Sequence, residues 1–191
     1  LTRWTKFVMI VQFNGWVING PMFSVGSVWG ALYVFTVGWM LWPATGDSPE
    51  QTKRDLLVYL ARASKWMLLH LKDRPLTLTR YPNGIEGGMF YQKHVADAPE
   101  FVQRILAYSD TNAGDLTFLL CNNLATLLWL GQMADLAIHT SLARVDPEPD
   151  AHGRSTNFAG SREQIESSVL NYPDFILFDL DPYTYAGHEA A

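Results

Sequence analysis

The sequence predicts a mixed α/β (α+β) fold, in which helices flank a β-sheet. Two amphipathic helical patterns occupy residues 48–71 and 122–137. Alternating apolar and polar residues predict a β-hairpin with strands at 75–82 and 89–94, and a short apolar run predicts another strand at 137–140. The length of 191 residues suits one domain of ordinary size.

The composition excludes several classes of protein and site. An aromatic content of 13% and a charged content of only 17% argue against disorder. The single cysteine, Cys121, excludes an internal disulfide and a cysteine-rich metal site. Because the net charge is −5, the chain has no general attraction for nucleic acid, and any polyanion has to bind a local basic patch.

The first 39 residues form an atypical apolar segment, separate from the part at 40–191. Residues 7–46 contain no acidic or basic residue and no histidine, and the composition changes abruptly between positions 46 and 47. The stretch 25–42 is long enough to cross a bilayer, which takes about 20 apolar residues. Its many β-branched and aromatic residues also favour strands, and a shifted reading frame is a third alternative. A membrane-anchored protein with a soluble binding module is therefore one reading of the chain.

The first predicted helix, at 48–71, begins with a capping signature. Ser48 is a favourable N-cap residue, Pro49 suits the first turn, and Gln51 completes a capping box. Leucines that recur every three or four residues give the helix one apolar stripe. Lys53 lies in the first turns, where a lysine ordinarily stays in solvent.

The predicted hairpin carries basic and aromatic residues near its turn at 83–88. Arg80 lies on the first strand, and Phe90, Tyr91 and Lys93 lie on the second. Because Phe90 and Tyr91 are adjacent, they point to opposite faces of the strand. A basic residue beside an aromatic ring can hold a phosphate and stack on a base, although an amphipathic hairpin with solvated charges has the same pattern.

The second helix leads into a short strand that ends near His139, and a polar loop follows at 144–164. A lone histidine is more often structural than catalytic. Strand ends nevertheless carry many functional residues, and this one can lie beside the end of another strand.

That other strand is predicted from the run "FILFDLDP" near the C-terminus. Its first four residues, 175–178, have the composition of a buried strand, and Asp179 and Asp181 follow on one face. Carboxylates about 6.6 Å apart along a strand repel each other unless a divalent cation lies between them. Two solvated acids at a strand end are the simpler alternative. A haloacid-dehalogenase-type phosphatase is a further one, but its motif has Gly-Thr where this chain has Pro182 and Tyr183.

Four blocks of the sequence, in order and spacing, resemble the polymerase domain of bacterial ligase D, a member of the archaeo-eukaryotic primase superfamily. They are "LWPATGDSPEQTKRDLLVYL", "LKDRPLTLTRYPNGIEGGMFYQKH", "NNLATLLWLGQMADLAIHT" and "NYPDFILFDLDP". The resemblance covers residues 40–191 and implies a primase-polymerase-like sheet with flanking helices. It also implies an enzyme that adds nucleotides to DNA ends, with or without a template, during non-homologous end joining.

The resemblance implies roles for individual residues. Asp179 and Asp181 match two of three carboxylates that hold the catalytic Mn²⁺ or Mg²⁺ ions. His139 matches the histidine that contacts the triphosphate of the incoming dNTP or NTP. Lys53 matches a lysine that binds the 5′-phosphate at a DNA break.

The hairpin residues also have counterparts in that family. Arg80 and Lys93 match basic positions that face nucleic acid, and Phe90 and Tyr91 match an aromatic pair that stacks on the template end. The implied partners are DNA ends with a 5′-phosphate, the Ku protein, and an ATP-dependent DNA ligase module in cis or in trans. The implied location is the bacterial cytoplasm, in association with the nucleoid.

The chain departs from the family pattern in three places. The family has a lysine just before the "LWP" block, where this chain reads "VGWM". Residues 1–38 do not resemble the family's short polar strands. The third carboxylate and a Ser-Gly-Lys nucleotide-binding stretch are expected beyond residue 191. The resemblance therefore predicts the N-terminal part of an incomplete domain, inactive alone and prone to aggregate through the uncovered run at 175–178.

Overall fold

The computed structural model describes residues 38–95, 98–149 and 151–178. Within them, a five-stranded antiparallel sheet is flanked by helices, which confirms the predicted mixed fold. In chain order the elements are β1 (Met40–Trp42), β2 (Gln51–Thr52), α1 (Lys53–Leu71), β3 (Pro75–Arg80), β4 (Phe90–Gln92), β5 (Gln103–Ser109), β6 (Gly114–Leu120), α2 (Leu124–Gln132), β7 (Asp135–Thr140), α3 (Arg162–Ser167) and a 3₁₀ turn (Val169–Asn171).

Strand β3 is the centre of the sheet. Leu76 pairs with Leu119 of β6 and also with Thr140 of β7, so β6 and β7 lie along opposite edges of β3. The second half of β3 pairs with β4 in place of β6, and β5 pairs with the far edge of β6. This pairing brings the predicted hairpin and the strand of His139 side by side.

The main core lies on the face of the sheet that carries Leu76 and Leu78, called here the helix face. Both leucines are 1% exposed and pack against α1 and α2. A Cβ atom on Gly131 of α2 would lie 2.6 Å from Cδ1 of Leu60 in α1, so a larger residue there would force the leucine side chain to move. Burial of each such leucine contributes about 1.5–3 kcal/mol, which fixes the helices over this face.

The opposite face carries Thr77, Thr79 and His139 and is called here the open face. A second apolar cluster, built on Ala107, Phe158 and Val169, covers this face over β5 and β6. In the part of the chain that the structure describes, this cluster leaves the β3–β7 part of the face less covered, and the candidate site lies there.

Helix α1 begins at Lys53 and not at Ser48 as predicted. Thr52 is the N-cap, and its N–H donates to Asp55 Oδ2 at 2.8 Å in a capping box. Gln51 and Thr52 pair with β1, so their backbone is extended and cannot enter the helix. The sequence contains two capping signatures in succession, and the pairing with β1 selects the second.

The second helix is also shorter than predicted. It spans Leu124–Gln132 with Asn123 as N-cap, and Ala134 then takes a left-handed φ of 59°. The strand that follows begins at Asp135, two residues before the predicted start at 137. The hairpin strands were predicted correctly, with ends within two residues of those observed.

The predicted buried strand at 175–178 is wrong. These residues form no strand, and their exposed fractions run from 39% at Phe175 to 78% at Phe178. An apolar run becomes a strand only where a neighbouring edge accepts its hydrogen bonds. Among the described residues, the last backbone hydrogen bond before this run is from Asp174 N–H to the Leu142 carbonyl, at 3.1 Å.

Two further predictions fall wholly or mainly outside the described residues. Asp179 and Asp181 lie beyond residue 178, and residues 1–37 of the predicted N-terminal segment are likewise not described. In the described part of the chain, no helix combines the length and the apolar character that a membrane crossing requires.

Candidate functional site

Lys53 is the first residue of α1, beside the end of β3. Its backbone N–H donates to the Trp39 carbonyl at 2.9 Å, which ties the helix start to β1. The residue is only 9% exposed. Burial lowers the pKa of the Lys53 ammonium, and the nearby Arg80 charge lowers it further. Among the described residues Lys53 has no carboxylate partner, so this helix N-terminus offers an anion two cationic groups and a favourable dipole.

Arg80 holds three elements together at that end of the sheet. Its Nε donates to the Met133 carbonyl at 3.2 Å, and its Nη1 donates to Gln92 Oε1 at 3.1 Å. The guanidinium also lies 5.5 Å from the centre of the Phe90 ring, opposite it on β4. These contacts fix the guanidinium next to Lys53.

Asp135 is a buried acid that the sequence analysis did not single out. The register between β3 and β7 shifts between Thr79 and Arg80, which puts Asp135 opposite Arg80. Its side chain is 1% exposed, and Oδ1 lies 3.6 Å from Arg80 Nε without a hydrogen-bond partner. Burial raises the pKa of Asp135 to about 7, against the opposing attraction of Arg80. The sequence signal that could have identified Asp135 is an acid at the start of an apolar strand.

His139 lies on the open face of β7 and its side chain is exposed. It is opposite Thr77 of β3, and its Nε2 lies 3.1 Å from Thr79 Oγ1. The Tyr91 ring of β4 is 6.3 Å away, centre to centre, and tilted by 44°. His139 and Tyr91 were predicted from the sequence, but Thr79 was not, because it has the character of an ordinary strand residue.

A cavity of about 290 Å³ adjoins His139 on the open face. Thr77 and Ser141 give it polar groups, and Phe118, Ile165 and Leu170 give it an apolar wall. Such a mixture, apolar with a few polar groups, is typical of small-molecule sites.

Two arginines fix the chain just before the predicted metal ligands. Arg74 Nη2 donates to both carboxylate oxygens of Asp174, at 2.7 and 2.9 Å, and Arg144 Nε donates at 2.6 Å. Burial opposes ionisation of Asp174, but these donors and their charges hold its pKa below the usual value. Arg74 also donates to the Ser141 carbonyl at 3.1 Å, so Asp174 is held beside the end of the His139 strand.

The predicted residues therefore form two groups. Lys53, Arg80 and Phe90 meet near the start of α1, and Tyr91 meets His139 on the open face. Register confirms that Phe90 and Tyr91 point to opposite faces, since they pair with Arg80 and Thr79.

The remaining predicted residues are not brought into either group. Lys93 is exposed just beyond β4. The described residues contain no cluster of three or more histidine, cysteine or acidic side chains that could hold a metal ion. Asp179 and Asp181 lie outside them.

Known proteins resemble this chain in sequence. Residues 52–191 match the family model of the LigD primase-polymerase domain. The multifunctional non-homologous end joining DNA repair protein LigD of Mycobacterium tuberculosis is 32% identical over 144 residues, which are 75% of this chain and 16% of that protein. The bifunctional non-homologous end joining protein LigD of Bacillus subtilis is 36% identical over 94 residues, which are 49% of this chain and 14% of that protein.

A solved structure is similar as well. The polymerase domain of Mycobacterium tuberculosis ligase D in complex with DNA superposes with a TM-score of 0.53 at 32% identity, over 61% of this chain and 39% of that one. The chain thus spans a small part of its curated relatives, but the matched region includes α1, the sheet and both groups of candidate residues. The chain belongs to the LigD primase-polymerase domain family.

Proposed function

We propose that this chain is part of a nucleotidyltransferase that adds dNTPs or NTPs to DNA ends, with or without a template, in non-homologous end joining. The observation that carries the proposal is the β3–β4 hairpin, which separates two groups of candidate residues. Beside its helix face lies a buried lysine that has no carboxylate partner among the described residues, and on its open face lies an exposed histidine next to a cavity. The similar ligase D polymerase domain was solved in complex with DNA.

On the helix face, Lys53 binds the 5′-phosphate of a DNA end. An anion next to the ammonium offsets the burial and the Arg80 charge that lower its pKa. The start of α1 adds the partial positive charge of a helix N-terminus. Arg80 acts in this site mainly by its charge and by fixing β4, since two of its N–H groups already donate to Met133 and Gln92.

On the open face, His139 donates a hydrogen bond to a triphosphate oxygen of the incoming nucleotide. A bond of this charge-assisted kind contributes about 1.5–3 kcal/mol. The neighbouring cavity accepts a less polar part of the nucleotide against Phe118 and Ile165. Tyr91 and Phe90, both exposed, stack on bases at the template end, and Lys93 contacts the DNA backbone.

Asp179 and Asp181 would hold Mn²⁺ or Mg²⁺ in this scheme. Two carboxylates separated by one residue are a donor set that suits a hard divalent cation. When bound, such ions activate a primer 3′-hydroxyl and neutralise the pyrophosphate that leaves. Asp174, held by Arg74 and Arg144, fixes the chain five residues before the first of these acids.

The wider assignment includes the Ku protein and an ATP-dependent ligase module as partners, in the cytoplasm near the nucleoid. The end-joining part of this assignment is supported by the names of the relatives, which are end-joining proteins several times longer than this chain. In the chain itself, Trp39 lies beside Lys53, near where the family has a second lysine. Lys53 therefore carries more of the phosphate binding than one of two lysines would.

A DNA-binding measurement tests this proposal. The chain should bind a duplex end with a 5′-phosphate more tightly than the same end with a 5′-hydroxyl, measured by fluorescence anisotropy. Lys53→Gln should remove most of this preference and lower the salt dependence by about one ion contact. Lys65→Gln, at an exposed position of the same helix, is the matched control and should keep the preference. Equal affinity of the wild-type chain for both ends would refute the phosphate site.

A further inference from the structure

The side chain of Thr79 on β3 lies diagonally opposite His139 on the neighbouring strand β7 and reaches its ring. Thr79 pairs with Ala137 and Tyr91, while His139 pairs with Thr77. The Thr79 Oγ1 to His139 Nε2 distance of 3.1 Å is a normal hydrogen-bond length. Thr79 is only 3% exposed, whereas His139 is exposed, so a fixed buried hydroxyl holds one edge of a solvent-facing ring.

This contact leaves two arrangements of protons. A neutral imidazole has one N–H donor and one acceptor nitrogen, and a hydroxyl can donate or accept. If Thr79 donates to Nε2, the proton of His139 is on Nδ1, which can then donate to a ligand. If Nε2–H donates to Thr79, Nδ1 is an acceptor and would repel a phosphate oxygen.

The surroundings of Thr79 favour the first arrangement. Among the described residues its hydroxyl has no other hydrogen-bond partner, so its proton is free to go to Nε2. The Tyr91 ring lies 6.3 Å from the His139 ring, on the side of β4. A triphosphate oxygen in the adjoining cavity needs a donor, and only the Nδ1–H form supplies one from a neutral ring.

We infer that Thr79 is a positioning residue that holds His139 as the Nδ1–H tautomer, so that this N–H faces an anionic phosphate oxygen of a nucleotide. The inference rests on the proposed role of His139 in nucleotide binding. Thr79 itself touches no substrate in this scheme and acts through the imidazole. Substitution of Thr79 should therefore change the affinity for the triphosphate and the tautomer of the His139 imidazole.

Nitrogen NMR of the histidine side chain reads the tautomer directly. Long-range ¹H–¹⁵N spectra of the ¹⁵N-labelled chain at about pH 8.5, where histidine is ordinarily neutral, distinguish a protonated from an unprotonated ring nitrogen. The His139 signals are identified by their loss in His139→Gln. The wild-type chain should show protonated Nδ1 and unprotonated Nε2. A wild-type ring with the proton on Nε2 would overturn the inference without any further variant.

The same NMR spectra of three variants test whether the Thr79 hydroxyl sets the His139 tautomer. Thr79→Val removes the hydroxyl at nearly constant shape and should move the proton from Nδ1 towards Nε2. Thr79→Ser keeps the hydroxyl and should retain the wild-type pattern. Thr77→Val changes the threonine directly opposite His139 on the same face and should also leave the pattern unchanged, because no bond joins its side chain to the ring. An unchanged ring in Thr79→Val would contradict the inference.

Titration with Mg²⁺ and dATP connects the tautomer to binding. Thr79→Val should weaken dATP affinity about fivefold, the loss of one ordinary hydrogen bond, while Thr79→Ser stays within twofold. The comparison with His139→Ala separates two failures. If His139→Ala binds dATP as tightly as the wild type, the proposed role of His139 is wrong. If His139→Ala weakens binding but Thr79→Val does not, only the positioning role of Thr79 is wrong.

Discussion

The two faces of the β3–β4 hairpin use polar residues in different ways. On the helix face, Lys53, Arg80 and Asp135 are buried or half-buried, and their charges act on one another. On the open face, Thr79 is buried but His139 and Tyr91 are exposed, and a hydrogen bond rather than a charge orients the site. Substitutions on the helix face should therefore alter folding stability as well as binding, and those of exposed open-face residues should alter binding alone.

The difference has a simple physical origin. The helix face is covered by α1 and α2, so every charge near it loses solvation and needs a partner. On the open face, the second apolar cluster, built on Ala107, Phe158 and Val169, covers mainly β5 and β6. Its exposed groups keep their hydration and exchange it for a ligand at lower cost. The same short hairpin thus supports a buried charge network, with Lys53 as its proposed phosphate ligand, on one side and an exposed ligand site on the other.

The largest expected effect is the loss of Arg80. At a pH well above 7, where the buried Asp135 is ionised, Arg80→Met should lower the free energy of unfolding by about 3–5 kcal/mol, because the carboxylate loses its cation. Urea denaturation measures this. Arg104→Met, at an exposed site on β5, is the control and should change stability by less than about 0.5 kcal/mol. A similar small change for both variants would contradict the buried network.

A smaller effect, on the order of a few kcal/mol, should appear as a pH dependence of stability. The folded-state pKa of Asp135 is raised to about 7, so between about pH 4 and 7 the folded chain binds a proton that the unfolded chain has released. Asp135 therefore destabilises the fold increasingly as pH rises through this window, with no further change above it.

Asp135→Asn tests that window. The amide cannot ionise, so the stability of the variant relative to the wild type should increase from pH 4 to pH 7 and then level off. Asp115→Asn, an exposed acid on β6, is the matched control. If the stabilities of the wild type and of Asp135→Asn change with pH in parallel, the Arg80 charge cancels the effect of burial on the pKa of Asp135, and the prediction is wrong.

Local patterns in the sequence predicted the parts of the fold that local chemistry decides. The alternation in 75–82 and 89–94 and the turn between them were sufficient for the hairpin. The choice between Ser48 and Thr52 as N-cap depended on pairing with β1, a contact distant from the helix pattern itself. Strands β5 and β6 and helix α3 were not predicted, and β5 pairs along its whole length with β6.

The residues of the candidate site were likewise predicted only in part from the sequence. His139, Lys53 and Tyr91 stand out by residue type, so the resemblance found them. Thr79 and Asp135 became visible only through the register of β3 with β7, which no single-sequence pattern specifies. The strand predicted at 175–178 is wrong because apolar composition alone does not provide a neighbouring strand edge with which to pair.

The central claim is that the two faces bind different phosphates, and one experiment with two ligands tests it most directly. Affinity for 5′-phosphorylated DNA and affinity for Mg²⁺-dATP are measured on Lys53→Gln and on His139→Ala. Lys53→Gln should lose the 5′-phosphate preference and keep dATP binding, whereas His139→Ala should weaken dATP binding about tenfold or more and keep the DNA preference. Loss of both ligands in both variants, or of neither, would contradict the separation of the two sites.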